Sequence, residues 1–317
     1  MRSFDTDAIE CLAAIVEEGG FERAALRLSI TQSAVSQRLR ALEAQVGSVL
    51  LVRSRPLKPT AAGRLLIKHA VQMRLLRADL DNELQDLAPG ARAVREEDRI
   101  SIAINADSVS TWALTALGPL VQGGLPLEII TDDQDFTHEW LREGQVLGCV
   151  TTLKQALRGC KVLPLGDMHY VAIAARDYAQ AHCPQGLNAH NFRQIPFIAF
   201  NRKDDLQAEF VARALGLRRV GLSRRFVPSS EGQVRAVLAG WGVSVVPQIQ
   251  VEGHLARGEL VNLAPQFSLP VRLYWHCWNL DSAVIDQLTR ALALGAQTAL
   301  QGAEKLLSHK TAAGFAI

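Results

Sequence analysis

A run of hydroxyl and amide side chains between residues 31 and 40 carries the clearest chemical signal in the chain. Shortly before this run, residues 21–28 form an amphipathic segment of their own. Side chains of these types can donate to and accept from base edges in the major groove of DNA. The spacing predicts a helix-turn-helix whose second helix begins at this run. The residues expected to contact DNA there are Thr31, Gln32, Ser33, Ser36, Gln37, Arg38 and Arg40.

The predicted second helix, residues 31–46, has an apolar side and a polar side. Val35, Leu39 and Leu42 fall within a narrow arc at about 100° per residue, which predicts packing on a small domain. On the opposite side, we expect the glutamines to pair with adenine and the arginines to contact guanine or phosphate. Thr31 is a suitable N-cap for this helix. A solvated polar helix face is the alternative interpretation.

Basic residues continue into residues 50–60, which predict a short strand, a turn and a return strand, together a wing. Arg53, Arg55 and Lys58 stand at its tip, where they are expected to contact phosphates without reading sequence. Between residues 19 and 68 the chain carries nine basic and two acidic residues, although its net charge is only +2. The charge therefore indicates a basic module on a neutral body. A solvated charge run is the alternative.

A long helix is predicted from residue 60, which can cap it, to about residue 87. Leu66, Met73, Leu80 and Leu87 repeat every seven residues and favour a coiled-coil seam between two copies of the chain. Leu76 and Leu84 reinforce that pattern. The alternative is a helix packed on its own domain. A hinge is expected at residues 89–98.

From residue 99 onward, strand-like and helix-like segments alternate, which is typical of a doubly wound α/β architecture. Two groups of such units predict two lobes that face a cleft. A last helix, residues 282–305, is expected to return to the first lobe, and the tail from residue 308 is expected to be disordered. The expected strands are residues 100–105, 127–132, 147–152, 170–175, 196–200, 225–228, 243–246 and 273–278.

The N-terminal residues resemble the LysR-type transcriptional regulators. The shared signature is Phe21, Ala24, Ala25, Leu28, residues 31–36, Leu42, Glu43, Gly47, Leu50 and Arg53. Two departures, Leu51-Val52 before the arginine and Pro59-Thr60 after it, are similar to the ArgP/LysG-type branch of that family. Further stretches similar to that branch are residues 105–108, 111–112, 141–144, 155–157, 229–231, 258–260 and 273–276.

The resemblance implies a DNA-binding activator that senses intracellular lysine or arginine and switches on a gene for a basic amino-acid exporter. It also implies a homodimer or homotetramer joined through the long helix, and double-stranded operator DNA as a partner. RNA polymerase is a further expected partner. Effector binding is expected to change the angle between the lobes and so the placement of the DNA-binding heads.

A cleft for such an effector is expected at the carboxyl ends of the strands, where helix N-termini point amide groups inward. The carboxylate of an amino acid suits serine-rich helix starts, whereas its α-ammonium and basic side chain need acidic partners. For Asp107 in particular, helix capping is a competing role. The expected effector-binding residues are Asn105, Asp107, Ser108, Thr111, Asp132, Asp133, Thr151, Phe200, Ser229, Ser230 and Glu231.

The predicted fold class is therefore α/β with an N-terminal all-α winged helix-turn-helix. The predicted domains are residues 1–60 for DNA binding, 61–90 for the linker helix and hinge, and 91–317 for effector binding. Within the last, lobe I is expected at about 98–167 and 271–305, and lobe II at about 168–270. The resemblance implies that these two lobes are built like a type 2 periplasmic binding protein.

Other classes of protein are disfavoured by the sequence. The five cysteines are scattered without CxxC spacing, so neither a disulfide framework nor a zinc site is expected. No nucleophile elbow, P-loop or dinucleotide-binding glycine motif is present, which argues against an enzyme, and no cofactor is expected. No run approaches the roughly 20 apolar residues of a membrane span. A cytoplasmic, nucleoid-associated location is expected.

Two alternatives to a basic amino-acid sensor stay open at this point. The first is a LysR-type regulator with a different small-molecule effector, such as an anionic one. The second is an origin-binding or nucleoid protein whose DNA binding has no ligand control. A solute-binding protein is disfavoured by the basic N-terminal module. The operator, the target gene, the sign of regulation and the choice between lysine and arginine do not follow from the sequence.

Overall fold

The computed structural model describes residues 4–52, 54, 56–87, 99–133 and 135–302, and for residues 81–87 it describes the backbone alone. At the N-terminus, three helices precede a two-stranded antiparallel ribbon. Arg53 and Arg55, which were predicted to contact phosphate, lie outside the described residues. The elements of this head are α1 (Thr6–Glu17), α2 (Phe21–Arg27), α3 (Gln32–Val46), β1 (Leu51–Val52) and β2 (Lys58–Pro59).

The start and end of α3 follow from two residues. The side chain of Thr31 accepts a hydrogen bond from the backbone N–H of Ala34 at 3.2 Å, which confirms the predicted N-cap. Gly47 ends the helix in the left-handed conformation, at φ 78°. Val35 and Leu39 are buried against the other helices of the head, so the predicted apolar side of α3 is its core side.

Helix α4 (Ala61–Leu87) is 27 residues long and packs on α1 along one side. Ile67 and Leu75 are fully buried on that side. Leu76 and Leu80 are about half exposed, as a seam with a second copy requires. Leu66, which the heptad pattern placed in the seam, instead packs against the core of its own chain. The side chains of Leu84 and Leu87 lie outside the described residues.

The strands of the second half of the chain are β3 (Ile100–Asn105), β4 (Leu127–Asp132), β5 (Gly148–Thr151), β6 (Cys160–Ala175), β7 (Pro196–Ala199), β8 (Ser223–Phe226), β9 (Ser244–Pro247), β10 (Leu260–Asn262) and β11 (Leu269–Trp278). Most of them form a mixed sheet in the order β10-β6-β11-β5-β3-β4, with β9 also paired to β6. A separate parallel pair, β7 and β8, lies in the second lobe.

Two long antiparallel strands, β6 and β11, connect the lobes, with Leu269 opposite Tyr170 at one end and Trp278 opposite Cys160 at the other. Lobe I contains β3, β4, β5 and the adjoining ends of these two strands, whereas β9 and β10 pair with β6 in lobe II. Both long strands begin earlier than the sequence predicted. The extension of β6 contains Pro164 and Gly166, which weaken a strand pattern but are accommodated beside a register shift in β11.

Helices alternate with the strands of this sheet along the chain, which confirms the predicted α/β class. They are α5 (Ala106–Ser108), a π-helical turn (Val109–Ala113), α6 (Leu114–Gln122), α7 (Thr137–Arg142), α8 (Arg176–His182), α9 (Leu206–Ala214), α10 (Ser230–Leu238), α11 (Gln248–Ala256) and α12 (Ala283–Ala299).

The last helix, α12, returns to lobe I as predicted. A Cβ on Gly295 would lie 2.4 Å from the Cβ of Ala116, so glycine permits α12 and α6 to approach closely. The helix ends before the predicted residue 305, because Leu300 is extended and Gln301 bridges to Asp167. The predicted disordered tail lies outside the described residues. Within the described part of the chain, no helix combines the length and apolarity that a membrane crossing requires.

Candidate nucleic-acid interface and ligand cleft

The polar side of α3 faces a groove that the wing closes on its other side. Gln37 and Arg40 are exposed, and Ser36 is half-buried. Thr31, Gln32 and Ser33, at the start of the helix, are exposed as well, and so is Lys58 on β2. The groove has a volume of about 490 Å³ and is lined by Gly19, Phe21, Gln32, Ser36, Arg40, Ser54, Pro56 and Leu57.

Arg38 differs from the other predicted DNA contacts, because its guanidinium lies along α1. Its Nη2 is 3.8 Å from the Asp7 carboxylate, and its Nη1 is within weak hydrogen-bonding distance of Cys11 Sγ, at 3.9 Å. Arg38 therefore ties the recognition helix to the first helix. Arg40, which lines the groove, is the better placed of the two arginines for a base or phosphate.

The head is joined to α4 by an ion network around Arg74, whose side chain is only 8% exposed. Its guanidinium donates to both carboxylate oxygens of Glu10 and, at 2.9 Å, to Glu17. Arg27 on α2 pairs with the same Glu17. Although burial alone raises the pKa of Glu17, the two guanidinium groups lower it overall. Arg74 thus ties α4 to α1, and Arg27 ties α2 to α1 through the same Glu17.

Further along, α4 also contacts lobe I. The carboxylate of Asp79 accepts a hydrogen bond from the backbone N–H of Val284, in the first turn of α12. The other carboxylate oxygen of Asp79 is buried and has no hydrogen-bond partner in the part of the chain that the structure describes. Lys68 lies over the Trp278 ring at 5.8 Å, and a Cβ on Gly144 would meet the Lys68 side chain at 2.3 Å. The linker helix is therefore in direct contact with both the head and the first lobe.

A small cavity of about 30 Å³ lies between the two lobes, and we call it the inner cavity. No lysine, arginine or histidine lines it among the described residues. Three carboxylates converge there, from Asp107 and Asp133 in lobe I and from Asp204 in lobe II. The remaining lining residues are Asn105, Ala106, Phe200, Leu206, Gln207, Gln233 and Val245.

Asp107 spans the lobes through two hydrogen bonds. One carboxylate oxygen accepts from the hydroxyl of Tyr170 and the other from the hydroxyl of Ser230, both at 2.6 Å. Burial raises the pKa of Asp107. The helix-capping role that the sequence allowed for this residue is replaced by contacts across the cleft.

Asn105 ends β3 beside the inner cavity and is 1% exposed. Among the described residues, neither its side-chain oxygen nor its side-chain nitrogen has a hydrogen-bond partner. A buried amide without partners costs free energy of about 1–3 kcal/mol. Since this amide lines the cavity, a ligand that enters can satisfy both its donor and its acceptor.

The two other carboxylates are held by backbone amides. Asp204 accepts from the N–H groups of Phe200 and Leu206, at 2.8 and 2.9 Å, and burial raises its pKa. Asp133 accepts from the N–H of Asp135 at 3.0 Å. Burial, reinforced by neighbouring carboxylates, raises the pKa of Asp133 to about 6.

A larger outer pocket of about 290 Å³ shares Asp133, Asp204 and Leu206 with the inner cavity. It is also lined by further acidic residues and by two basic ones, Lys154 and Arg272. Arg272 is already paired with Asp167. The other lining residues are Asp135, Thr152, Asp205, Glu209, Pro270, Val271 and Tyr274.

Four of the predicted effector-binding residues line the inner cavity, namely Asn105, Asp107, Asp133 and Phe200. Ser230 joins them through its bond to Asp107.

The other predicted effector residues are engaged elsewhere. Asp132 accepts from the Trp140 indole N–H at 3.2 Å, and Thr111 donates to the backbone oxygen of Asp107. Ser229 caps α10, and Glu231 is exposed in its first turn. Ser108 and Thr151 are buried but line neither the inner cavity nor the outer pocket.

The sequence does not single out Asp204, Tyr170, Gln207 or Gln233, although all four contribute to the cleft. Asp204 stands within the charged run 202–205, which is typical of a solvated loop, and its burial follows only from the tertiary fold. The glutamines lie on α9 and α10, and Gln207 bonds the backbone of Val245 through both its oxygen and its nitrogen. In the sequence, the one sign of these two glutamines is a polar residue on the otherwise apolar face of a helix.

All five cysteines are free thiols in the structure. Burial raises the pKa of Cys149 and of Cys183, so these thiols are protonated at neutral pH. They act as apolar core residues.

A winged head, a long helix and a two-lobed α/β domain with a polar cleft define a DNA-binding regulator with a ligand-binding domain. Residues 6–64 match the bacterial regulatory helix-turn-helix protein of the lysR family, and residues 94–294 match the LysR substrate binding domain. The chain belongs to the LysR family of transcriptional regulators.

Two similar proteins belong to the ArgP/LysG branch, to which the sequence resemblance pointed. The transcriptional regulator ArgP of Pseudomonas aeruginosa is 41% identical over 92% of this chain and 96% of its own length. The regulator LysG of Mycobacterium bovis is 38% identical over 95% of this chain and 96% of its own length.

Two solved structures are similar over nearly the whole chain. The crystal structure of ArgP from Mycobacterium tuberculosis has a TM-score of 0.78 and 38% identity, covering 95% of this chain and all of that one. Full-length LysG from Corynebacterium glutamicum with bound effector Arg has a TM-score of 0.67 and 34% identity, covering 93% of this chain and 99% of that one.

Proposed function

We propose that this LysR-family regulator senses arginine or lysine in the cleft between its lobes and activates a gene for a basic amino-acid exporter. It binds double-stranded operator DNA through α3 and the wing. It acts without a cofactor and without catalysis, as a homodimer or homotetramer. RNA polymerase is the further partner of an activator.

One observation carries the choice of effector: three carboxylates and an unpartnered amide surround a cavity that no basic side chain lines in the described part of the chain. A basic amino acid brings two cationic groups, which these carboxylates can pair with through charge-assisted hydrogen bonds. Its single carboxylate can pair with Lys154 in the outer pocket. An anionic effector would meet Asp107, Asp133 and Asp204 without compensation.

The size of the inner cavity indicates that the lobes must move for an effector to enter. Its 30 Å³ is the space of about one water molecule. Entry therefore requires the bond between Asp107 and Ser230 to open, which separates lobe I from lobe II. Because lobe I is docked on α4, this movement displaces lobe II relative to the linker helix and the head.

The solved structure of LysG with bound arginine supports this assignment, since that protein is similar over nearly the whole chain. Self-association is supported by the exposed apolar side chains of α4. Leu65 is 72% exposed, and Leu76 and Leu80 are about half exposed. A second copy that covered them would place two recognition helices on successive major grooves, about 34 Å apart.

Isothermal titration calorimetry and mobility shifts on the gene's own upstream DNA test the proposal together. We expect arginine or lysine to bind, and citrulline and norleucine, which lack the side-chain cation, to bind at least tenfold more weakly. The bound amino acid should change the mobility-shift or footprint pattern. Tighter binding of an anionic carboxylate would favour a different effector. DNA binding that no ligand alters, and that shows no operator preference, would favour a nucleoid protein.

A further inference from the structure

The cleft brings carboxylates together from both lobes, and none of the described residues that line the inner cavity is basic. Asp107 follows β3, Asp133 follows β4, and Asp204 precedes α9. The acidic cluster is accompanied by a second observation, the fully buried amide of Asn105, which points into the same cavity without a partner. The cavity is therefore built to receive a polar group.

The surrounding charges do not fully neutralise this cluster. The outer pocket adds negative charge from Asp135, Asp205 and Glu209, and positive charge from Lys154 and Arg272. Arg272 is paired with Asp167, and Arg224, which donates to the backbone oxygen of Asp204, lowers the pKa of the Asp204 carboxyl by less than burial raises it. From β6 and α10, the cluster is faced by the neutral hydroxyls of Tyr170 and Ser230. Glu231 in the first turn of α10 is exposed, outside the cavity.

Neighbouring carboxylates that are partly shielded from water disfavour one another's ionisation, because each negative charge makes the next less favourable. In the closed, ligand-free cleft the least costly counter-charge is a proton. A cationic group of a ligand supplies the same neutralisation and, unlike a proton, also satisfies the amide oxygen of Asn105. The proton and the ligand cation therefore compete for one place.

We propose that the ligand-free cleft holds a proton on the Asp107, Asp133 and Asp204 cluster, and that a cationic effector displaces it. Effector binding then releases a proton, and the sensitivity of the regulator depends on the pH around it. This inference rests on the proposed function and adds to it that acidification weakens sensing.

The raised pKa values of all three aspartates agree with this competition, and that of Asp133 is about 6. A carboxyl group with a raised pKa is protonated below that value, and a bound cation favours its ionised form. Affinity is therefore expected to rise with pH up to about 6 and to level off above it. The rise approaches about tenfold per pH unit for one displaced proton.

Calorimetry of the full-length protein with arginine tests the inference. At pH 6.0, titrations are done in buffers of different ionisation enthalpy. The dependence of the binding heat on that enthalpy should correspond to the release of up to one proton per site. Between pH 5.0 and 7.0 the Kd should fall at least fivefold. Thermal melts at each pH establish that the protein is folded throughout. Arginine itself keeps one charge state over this range, since its α-ammonium titrates at higher pH.

Two variants locate the proton. Asp133→Asn removes one carboxylate and should flatten the dependence of Kd on pH, and Asp204→Asn serves the same purpose if the first variant does not fold. Asp177→Asn, an exposed residue on α8 outside the cleft, should keep the wild-type profile. Heats independent of the buffer, with one Kd at every pH, would overturn the inference. Arginine that fails to bind at any pH would instead overturn the proposed function.

Discussion

The carboxylate of Asp79 on the linker helix α4 accepts a hydrogen bond from the backbone N–H of Val284, 3.1 Å away at the start of α12. A carboxylate at a helix N-terminus is favoured by the helix dipole and by the unsatisfied amides there. This contact links α4 to lobe I, which supplies Asn105, Asp107 and Asp133 to the cleft. Since Arg74 links the same helix to the head, α4 is the rigid connection between the two sites.

We expect Asp79→Ala to uncouple the effector from DNA binding. The change removes a contact of about 1 kcal/mol at the helix start and weakens the docking of lobe I on α4, although Lys68 still contacts Trp278. Arginine affinity and basal operator affinity should stay close to wild type, whereas the arginine-dependent change in the footprint should diminish. Asp79→Asn, which keeps an acceptor oxygen, should retain most of the response. An undiminished response in Asp79→Ala would show that coupling does not pass through this contact.

The Arg74 network predicts that the stability of the head depends on one guanidinium. Arg74→Met removes the guanidinium partner of Glu10 and one of the two partners of Glu17, which keeps Arg27, so the loss should be at most about 3–5 kcal/mol of unfolding free energy. Chemical denaturation measures this loss. Arg77→Met, on an exposed position of the same helix, should change stability by less than about 0.5 kcal/mol. Equal effects of the two substitutions would contradict the structural role of Arg74.

The same network gives the head a definite response to acid. The pKa of Glu17 lies below its ordinary value of 4.5, so its ion pairs stabilise the fold fully above that value. This stabilisation is lost as the pH falls through the lower, folded-state pKa. Unfolding free energies measured between pH 6 and pH 3 should therefore decline in the wild type. The decline should be smaller in Arg74→Met, where Arg27 alone lowers the pKa of Glu17.

Local patterns in the sequence were sufficient to predict the head and the first strands. Thr31 and Gly47 mark the ends of α3 through their own backbone chemistry, and the observed bounds of β3 are those predicted. The long strands β6 and β11 were only partly predicted. Pro164 and Gly166 interrupt the pattern of β6, and its pairing is set by residues about a hundred positions away.

The cleft could be predicted only in part for a similar reason. Asn105, Asp107 and Asp133 end strands or begin helices, so the α/β rule placed them at the crevice. Asp204 lies in a run of four charged residues, and nothing local distinguishes it from its exposed neighbour Asp205. Its burial depends on how lobe II folds over the loop. A residue that faces the cleft from the opposite lobe is therefore the hardest to find from sequence.

Asp204 is expected to contribute directly to effector affinity. Asp204→Asn keeps an oxygen for one of the two backbone amides but removes the negative charge, so arginine should bind about ten- to a hundredfold more weakly, as for the loss of a charged hydrogen bond. Calorimetry at pH 7.5 measures the change, with Asp177→Asn as the matched control in the same lobe. Unchanged affinity in Asp204→Asn would remove this residue from the binding site.

The exposed polar side of α3 predicts sequence-specific contacts that can be separated from phosphate contacts. Gln37→Ala should weaken operator binding by about 1–3 kcal/mol and leave binding to unrelated DNA nearly intact, because a base contact discriminates between sequences. Lys58→Ala on the wing should weaken binding to both DNAs alike. It should also reduce the number of counterions released on binding, read from the salt dependence of the affinity, by about one. Mobility shifts on both DNAs at several salt concentrations measure both effects. If Gln37→Ala weakened binding to both DNAs equally, the Gln37 side chain would contact the phosphate backbone and not the bases.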